Sequence, residues 1–75
     1  MIGERLRYLR KKKGYSISRL AKEAGVSKTY LSYLDRGLQN NPSLQFLEKV
    51  SSRLGISVEY LISEEFEKEY KENNS

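Results

Sequence analysis

Side chains that donate hydrogen bonds crowd the short stretch between Ser27 and Gly37. The Ser can cap the start of a helix, and the Gly can end it. With Leu31 and Leu34 turned inward, the other side of this helix displays Lys28, Thr29, Ser32 and Tyr33, with Arg36 one turn further on. A surface of that composition has no packing role, and its donors suit the base edges in the major groove of DNA.

The N-terminal residues of a helix that lies in the major groove reach the bases. Lys28 would donate to O6 and N7 of guanine, and Tyr33 would reach a base or a phosphate. Thr29 could touch a thymine methyl group or, like Ser32, hydrogen-bond to various base edges. We therefore expect bases to be read by Lys28, Thr29, Ser32 and Tyr33.

Phosphate contacts are expected from residues on the flanks of this helix, since free N–H groups at helix N-termini bind anions. The candidates lie at the starts of helices and in the following loop: Ser16, Ser18, Ser27, Tyr30, Arg36, Asn40 and Asn41. Helix capping alone would also account for Ser16.

Arg10 follows Leu6 and Leu9 on the flank of the inner face of the first helix. We expect it to form an ion pair with Asp35, near the end of the donor-rich helix, and so to fix the orientation of that helix. Its net stabilisation could be small, because desolvation of both charges offsets their attraction. A direct phosphate contact is the alternative, and Arg10 could do both.

The elements that must position these residues are helices, and the sequence shows no strand pattern. Apolar residues three and four apart, bounded by Ser and Gly, predict five helices. Their inward positions are Ile2, Leu6 and Leu9; Ile17, Leu20, Ala21 and Ala24; Leu31 and Leu34; Leu44, Leu47, Val50 and Leu54; Val58, Leu61 and Ile62. Helices two and three, joined by a few residues around Gly25, predict a helix-turn-helix. The predicted fold class is all-α, a compact five-helix domain.

We place this domain at residues 1–63 and an acidic extension or linker at residues 64–75, partly helical and then disordered from about Lys71. Phe66 and Tyr70 lie four residues apart on the extension. They would either form an exposed aromatic ridge that packs on a neighbour or fold back onto the domain's own core. On the first alternative they are candidate dimer contacts.

Composition excludes several classes of function. The 75 residues allow one modest core, and the absence of Cys and His excludes disulfides, thiolate or imidazole metal sites and the usual nucleophilic triads. We expect neither an enzyme nor a cofactor. No apolar run could span a membrane, and the N-terminus lacks the core of a signal peptide, so cytoplasmic residence is expected.

The net charge of +4 is unevenly distributed along the chain. Residues 1–36 carry ten basic and three acidic side chains, which gives 10 − 3 = +7, whereas residues 64–75 carry a charge of −3. A basic half is expected of a protein that binds a polyanion. A solvated basic face is the alternative explanation.

The run RLRYLRKKKGYSISRLAKEAGVSKTYLSYLDRG, followed by NPSLQFLEKVSSRLGISVEYLI, resembles the Cro/C1-type (XRE) helix-turn-helix family over residues 2–62. The resemblance implies a lambda-repressor-like fold and a sequence-specific repressor of transcription. It also implies a homodimer that binds paired half-sites of double-stranded DNA. By position it implies base reading by Lys28, Thr29 and Tyr33, phosphate binding by Ser16, Arg36, Asn40 and Asn41, and an ion pair between Arg10 and Asp35.

Two departures from the family bear on these expectations. Ile17 stands where the family often has a Gln that binds a phosphate, so that contact is not expected here. A subgroup that the chain resembles continues into a second helical domain, which self-associates and binds a small protein antagonist. The sequence stops before such a domain, and it leaves open whether the chain is a fragment or a complete short protein.

A second function remains open beside the DNA-binding regulator. A protein of this fold could serve as a protein-interaction module, an antitoxin or partner-sequestering antagonist with little DNA binding. Such a module would be expected to lose the basic half and the donor-rich third helix. Both are present in this sequence, which favours the regulator.

Overall fold

The computed structural model describes residues 2–39 and 41–74, which contain helices and no strand. The helices are α1 (Ile2–Lys12), α2 (Ile17–Ala24), α3 (Lys28–Asp35), α4 (Leu44–Leu54), α5 (Val58–Leu61) and α6 (Glu64–Asn74). The predicted all-α class is confirmed, with a sixth helix formed by the acidic extension. None of the helices in these ranges is both long enough and apolar enough to span a membrane.

Serine side chains start five of the six helices that residues 2–39 and 41–74 form. Each Ser hydroxyl accepts a hydrogen bond from the backbone N–H three residues further on, which satisfies a donor that the helix itself cannot pair. The pairs are Ser16–Arg19 at 3.0 Å, Ser27–Tyr30 at 3.1 Å, Ser43–Phe46 at 3.1 Å, Ser57–Tyr60 at 3.0 Å and Ser63–Phe66 at 3.1 Å. Local sequence therefore sets where these helices begin.

Around the core, α2 packs against α3 and α4, α1 packs against α3 and α5, and α5 also contacts α4 and α6. The side chains of the core include most of the predicted inward positions. The buried apolar residues are Leu6, Leu9, Leu20, Ala21, Leu31, Leu34, Phe46, Leu47, Val50, Leu54, Leu61 and Phe66. Burial of these side chains on several helices at once is what holds such short helices together.

Two predicted core positions are wrong, since Leu44 is 63% exposed and Ile62 is 57% exposed. In a helix of 3.6 residues per turn, Leu44 and Val50 are separated by about 120° around the axis, so they cannot share one face. Phe46 is buried instead and packs in the core. Ile62 lies beyond the end of α5, where helical periodicity no longer decides orientation.

The aromatic residues of α6 fold back onto the domain. Phe66 is 2% exposed, and its ring lies 6.2 Å from the ring of Tyr8. Tyr70 is half-buried, and its ring meets that of Tyr8 edge-on at 5.1 Å. Of the two alternatives, folding back onto the domain is therefore confirmed and the exposed ridge is wrong. The burial of Phe66 argues against it as a dimer contact, whereas a dimer contact by Tyr70 stays a prediction.

Arg5 fastens α6 to the rest of the domain. Its guanidinium donates to the carbonyl oxygens of Leu61 at 2.7 Å and Ser63 at 3.1 Å, and to Glu67 Oε2 at 2.5 Å. It also lies 5.2 Å from the centroid of the Phe66 ring. The extension continues as helix to Asn74, whereas the sequence predicted disorder from about Lys71.

Candidate nucleic-acid interface

The turn between α2 and α3 sets how the donor-rich helix leaves the domain. Gly25 has φ 71°, a left-handed conformation that favours glycine, and the Val26 N–H donates to the carbonyl of Ala21 at 3.0 Å. Ala21 is buried, and its small side chain lets the neighbouring helices approach closely. The two helices and this turn form the predicted helix-turn-helix.

The inner face of α3 is anchored in the core. Leu31 and Leu34 are 1% and 0% exposed. Tyr30 is half-buried, and its ring meets that of Phe46 edge-on with the centroids 4.9 Å apart. Because this face is fully used in packing, the rotation of α3 about its axis is fixed and its opposite face points outward.

The outer face of α3 forms one shallow concavity. It is lined by Lys28, Thr29, Ser32, Tyr33 and Arg36. The guanidinium carbon of Arg36 lies 5.6 Å from the centroid of the Tyr33 ring, so a cation and an aromatic ring meet at one end of the concavity. The structure thus brings together the four residues predicted to read bases and one of the residues predicted to bind phosphate.

The end of α3 is tied to α1 by the predicted ion pair. Arg10 donates from Nε to Asp35 Oδ1 at 3.0 Å and from a terminal nitrogen to Oδ2 at 3.3 Å. The same guanidinium donates to the carbonyl oxygen of Tyr15 at 2.8 Å, and Arg7 approaches Asp35 to 3.9 Å. Both partners of the main pair are nearly buried, with 11% and 9% of their side chains exposed.

A second close approach between α1 and α3 occurs at Gly3, which is buried inside α1. A Cβ atom on this residue would overlap the carbonyl oxygen of Leu34. Sequence reasoning missed this role, although a Gly inside a helix is itself a signal, because Gly costs about 0.5–1 kcal/mol relative to Ala there.

The candidate phosphate ligands lie at separate places. Ser16 and Ser27 use their hydroxyl oxygens as helix caps. Tyr30 is half-buried against Phe46, so only its hydroxyl end could serve. Ser18, Arg36 and Asn41 are exposed, whereas Asn40 lies outside the described residues. Within the described ranges no group of side chains is arranged to hold a metal ion.

Glu23, near the end of α2, joins three side chains. Its Oε2 accepts from Nε of Arg19 at 2.7 Å, and its Oε1 accepts from Nε of Arg53 at 2.9 Å and from the Tyr15 hydroxyl at 3.3 Å. The hydrogen bond from Arg19 holds the pKa of Glu23 below its usual value. A single carboxylate therefore compensates two guanidinium groups, and the site keeps a net positive charge.

Comparisons with known proteins agree with the helix-turn-helix fold. A family model described as helix-turn-helix matches residues 6–61. The transcriptional regulator SinR of Bacillus subtilis is 59% identical over 70 residues, which cover 93% of this chain and 63% of the relative. The chain therefore spans less than two thirds of the length of this relative.

Two solved structures of SinR have the same fold as this chain. SinR in complex with DNA has a TM-score of 0.80 and 59% identity, and the match covers 84% of this chain and 100% of that one. The complex of SinR with SinI has a TM-score of 0.82 and 53% identity, and covers 96% of this chain and 73% of that one. The subgroup that the sequence resembles is therefore that of SinR.

Proposed function

The chain belongs to the helix-turn-helix family, and we propose that it is a sequence-specific, DNA-binding transcription regulator of the SinR type, acting as a repressor. The SinR relative has been solved in complex with DNA, which supports this choice of ligand. Nucleoid-bound action in the bacterial cytoplasm is part of the proposal.

One observation carries it: hydrogen-bond donors line a single concavity on a helix whose inner face is buried. The lining residues, Lys28, Thr29, Ser32, Tyr33 and Arg36, present an ammonium, hydroxyl groups and a guanidinium to one side. Base edges in the major groove offer matching acceptors and, at thymine, a methyl group for Thr29. Because its outer face is exposed and its inner face is packed in the core, α3 can enter the groove without losing its contacts with the rest of the domain.

Within this arrangement, bases are read at the start of α3 and phosphates are bound around it. Lys28 and Thr29 lie in the first turn, where a recognition helix meets the bases. Arg36 follows the last residue of α3, where its charge would attract a backbone phosphate. The proposed phosphate ligands also include Ser16, Ser18, Ser27, Asn41 and the hydroxyl of Tyr30.

Two copies are proposed to bind paired half-sites as a homodimer. Leu44 and Ile62, both exposed, lie on one surface with Ile56 and Val58. Self-association through this apolar surface would cover them, and it replaces Phe66 as the candidate contact. Half-sites arranged as an inverted repeat should then have centres about 34–36 Å apart, or a multiple of that distance.

Control by a small protein antagonist, through a second helical domain that these 75 residues do not include, is the remaining part of the proposal. SinR, which this chain resembles over most of the chain's length, has been solved in a complex with SinI. A partner of that kind would relieve repression by competing with DNA or with self-association.

The test is a selection of binding sites from a library of random DNA duplexes. The proposal predicts an enriched motif with two related half-sites. The double variant Lys28→Ala/Tyr33→Ala should lose the motif, whereas Lys68→Ala, an exposed cation on α6, should select the same one. Absence of any motif with the unaltered chain would contradict sequence-specific regulation and favour a protein-interaction module.

A further inference from the structure

Arg19 lies in the first turn of α2, and its guanidinium lies between the ring of Tyr15 and the carboxylate of Glu23. Side chains on a helix lean toward its N-terminus, and the guanidinium carbon of Arg19 lies 4.5 Å from the ring centroid of Tyr15, the residue that precedes the cap Ser16. The side chain is 58% exposed. The residue that carries this exposed cation thus belongs to the first turn of α2, where phosphate contacts are proposed.

The position of this guanidinium is fixed from two sides. Tyr15 lies under it, and Glu23 accepts a hydrogen bond from its Nε at 2.7 Å. Within residues 2–39 and 41–74 its two terminal nitrogens donate no hydrogen bond. Arg53 bonds to the other oxygen of Glu23, so the carboxylate cannot neutralise Arg19 completely.

The order of the two charges in this ion pair is the less favourable one for helix stability. The positive end of a helix dipole is its N-terminus, so a cation in the first turn and a carboxylate in the last turn are both unfavourably placed. α2 has Arg19 near its start and Glu23 near its end, and its first turn contains no acidic residue. A pair in the opposite order would stabilise the helix better.

We infer that Arg19 binds a phosphate of the DNA backbone at the start of α2, and that Glu23 is a positioning residue for this contact. The inference rests on the proposed function and names one of its ligands. The two terminal nitrogens form a planar fork that matches the two non-bridging oxygens of a phosphodiester. Arg19 thereby supplies a strong phosphate ligand next to Ile17, whose side chain cannot bind one.

The first experiment measures the salt dependence of binding to the selected duplex. Arg19→Gln should weaken binding by about tenfold at low salt. It should also reduce the slope of log K against log salt concentration by about 0.9, without changing base preference. Lys22→Gln removes the same charge from an exposed position of the same helix and should change the slope much less. Equal effects of the two variants would overturn the inference.

The second experiment locates the phosphate. Duplexes are made with a neutral methylphosphonate at one backbone position at a time. At one backbone position, the methylphosphonate should weaken binding of the unaltered chain. At that same position it should not weaken binding of the Arg19→Gln variant, which already lacks the contact. Absence of any such position would also overturn the inference.

Glu23→Gln tests the positioning role, because charge and geometry affect two different measurements. The substitution raises the net charge by one, so charge alone predicts tighter binding to every duplex. Loss of positioning instead predicts that a methylphosphonate at the position contacted by Arg19 weakens binding of Glu23→Gln less than it weakens binding of the unaltered chain. An unchanged effect there would contradict the role of Glu23.

Different results would contradict the proposed function and the inference about Arg19. If the unaltered chain prefers no duplex, the proposed function itself is contradicted. If it binds a motif specifically but Arg19→Gln has the same affinity and salt slope, only the inference about Arg19 is contradicted. Circular dichroism melts of each variant verify that it is folded under the binding conditions.

Discussion

Arg10 and Asp35 form a bidentate ion pair that connects α1 to the last residue of α3, with N–O distances of 3.0 and 3.3 Å. Both side chains are nearly buried, so neither charge is well hydrated. Together with the close approach of Gly3 to the carbonyl of Leu34, this pair fixes the orientation in which α3 presents its outer face.

Removal of one partner of this pair should cost more than removal of both. Asp35→Leu leaves the nearly buried Arg10 with only the carbonyl of Tyr15, and should lower the free energy of unfolding by about 3 kcal/mol. The double variant Arg10→Met/Asp35→Leu should recover most of that loss, because no uncompensated charge remains. Urea denaturation measures the double variant and the two single variants, Asp35→Leu and Arg10→Met. If the loss of free energy of unfolding in the double variant equals the sum of the losses in the two single variants, the two residues do not interact.

Gly3→Ala should destabilise the domain, although Ala is the better helix former. In an unobstructed helix the change would stabilise by about 0.5–1 kcal/mol. Here the added Cβ overlaps the carbonyl oxygen of Leu34, so α1 must shift away from α3 at a cost of about 1–3 kcal/mol. Lys11→Ala, at an exposed position of α1, is the control and should be nearly neutral. A higher melting temperature for Gly3→Ala would contradict the close approach.

Lys28→Ala should weaken binding to the selected duplex by about 1–3 kcal/mol and relax the base preference at one position. The reason is loss of the donor to guanine at the start of α3. Titration of single-base variants of the selected duplex provides the measurement. Equal weakening on every sequence would show instead that Lys28 contacts a phosphate.

Arg36→Ala should weaken binding to all duplexes alike and make the salt dependence less steep. The residue follows the end of α3, where its charge meets the DNA backbone rather than a base edge. Titration of the selected and the scrambled duplex at several salt concentrations measures both effects. A changed base preference would contradict this role.

Glu67→Gln should reduce the free energy of unfolding at neutral pH. It should also make the decrease of that free energy with falling pH less steep than in the unaltered chain. The hydrogen bond from Arg5 holds the pKa of Glu67 below its usual value of 4.5. Because the folded pKa is the lower one, this contribution is complete above pH 4.5 and is lost as the pH falls through the folded pKa. The side chain is 43% exposed, so the effect should be modest.

Denaturation between pH 7 and about 3 measures this dependence. Glu65→Gln alters an exposed carboxylate of the same helix and serves as the control. Stability curves for Glu67→Gln and the unaltered chain that remain parallel throughout the acid range would contradict a link between Arg5 and Glu67.

What the sequence predicts well is set by neighbouring residues. Ser16, Ser27, Ser43 and Ser57 cap helices because each hydroxyl meets an N–H only three residues away. The outer face of α3 follows in the same way, since Leu31 and Leu34 assign its inner face. Helix geometry alone decides both features.

What the sequence predicts poorly depends on distant partners. Arg5 and Glu67 are 62 residues apart, and no local pattern shows that they meet. The choice between an exposed and a buried Phe66 likewise depends on whether Tyr8 and α1 offer it a surface. The inward position predicted for Leu44 is wrong because three residues cover only about 300° of a helical turn. Two such steps, from Leu44 to Val50, therefore add up to a difference of about 120° and lead to a different face.

The most direct test of the account compares the affinity for the selected duplex with that for a scrambled duplex of the same composition, at one fixed salt concentration. If the outer face of α3 reads base edges, the selected duplex should bind at least about 10³-fold more tightly. Equal affinities that fall steeply with salt would contradict this claim, because the protein would then bind only the charged backbone.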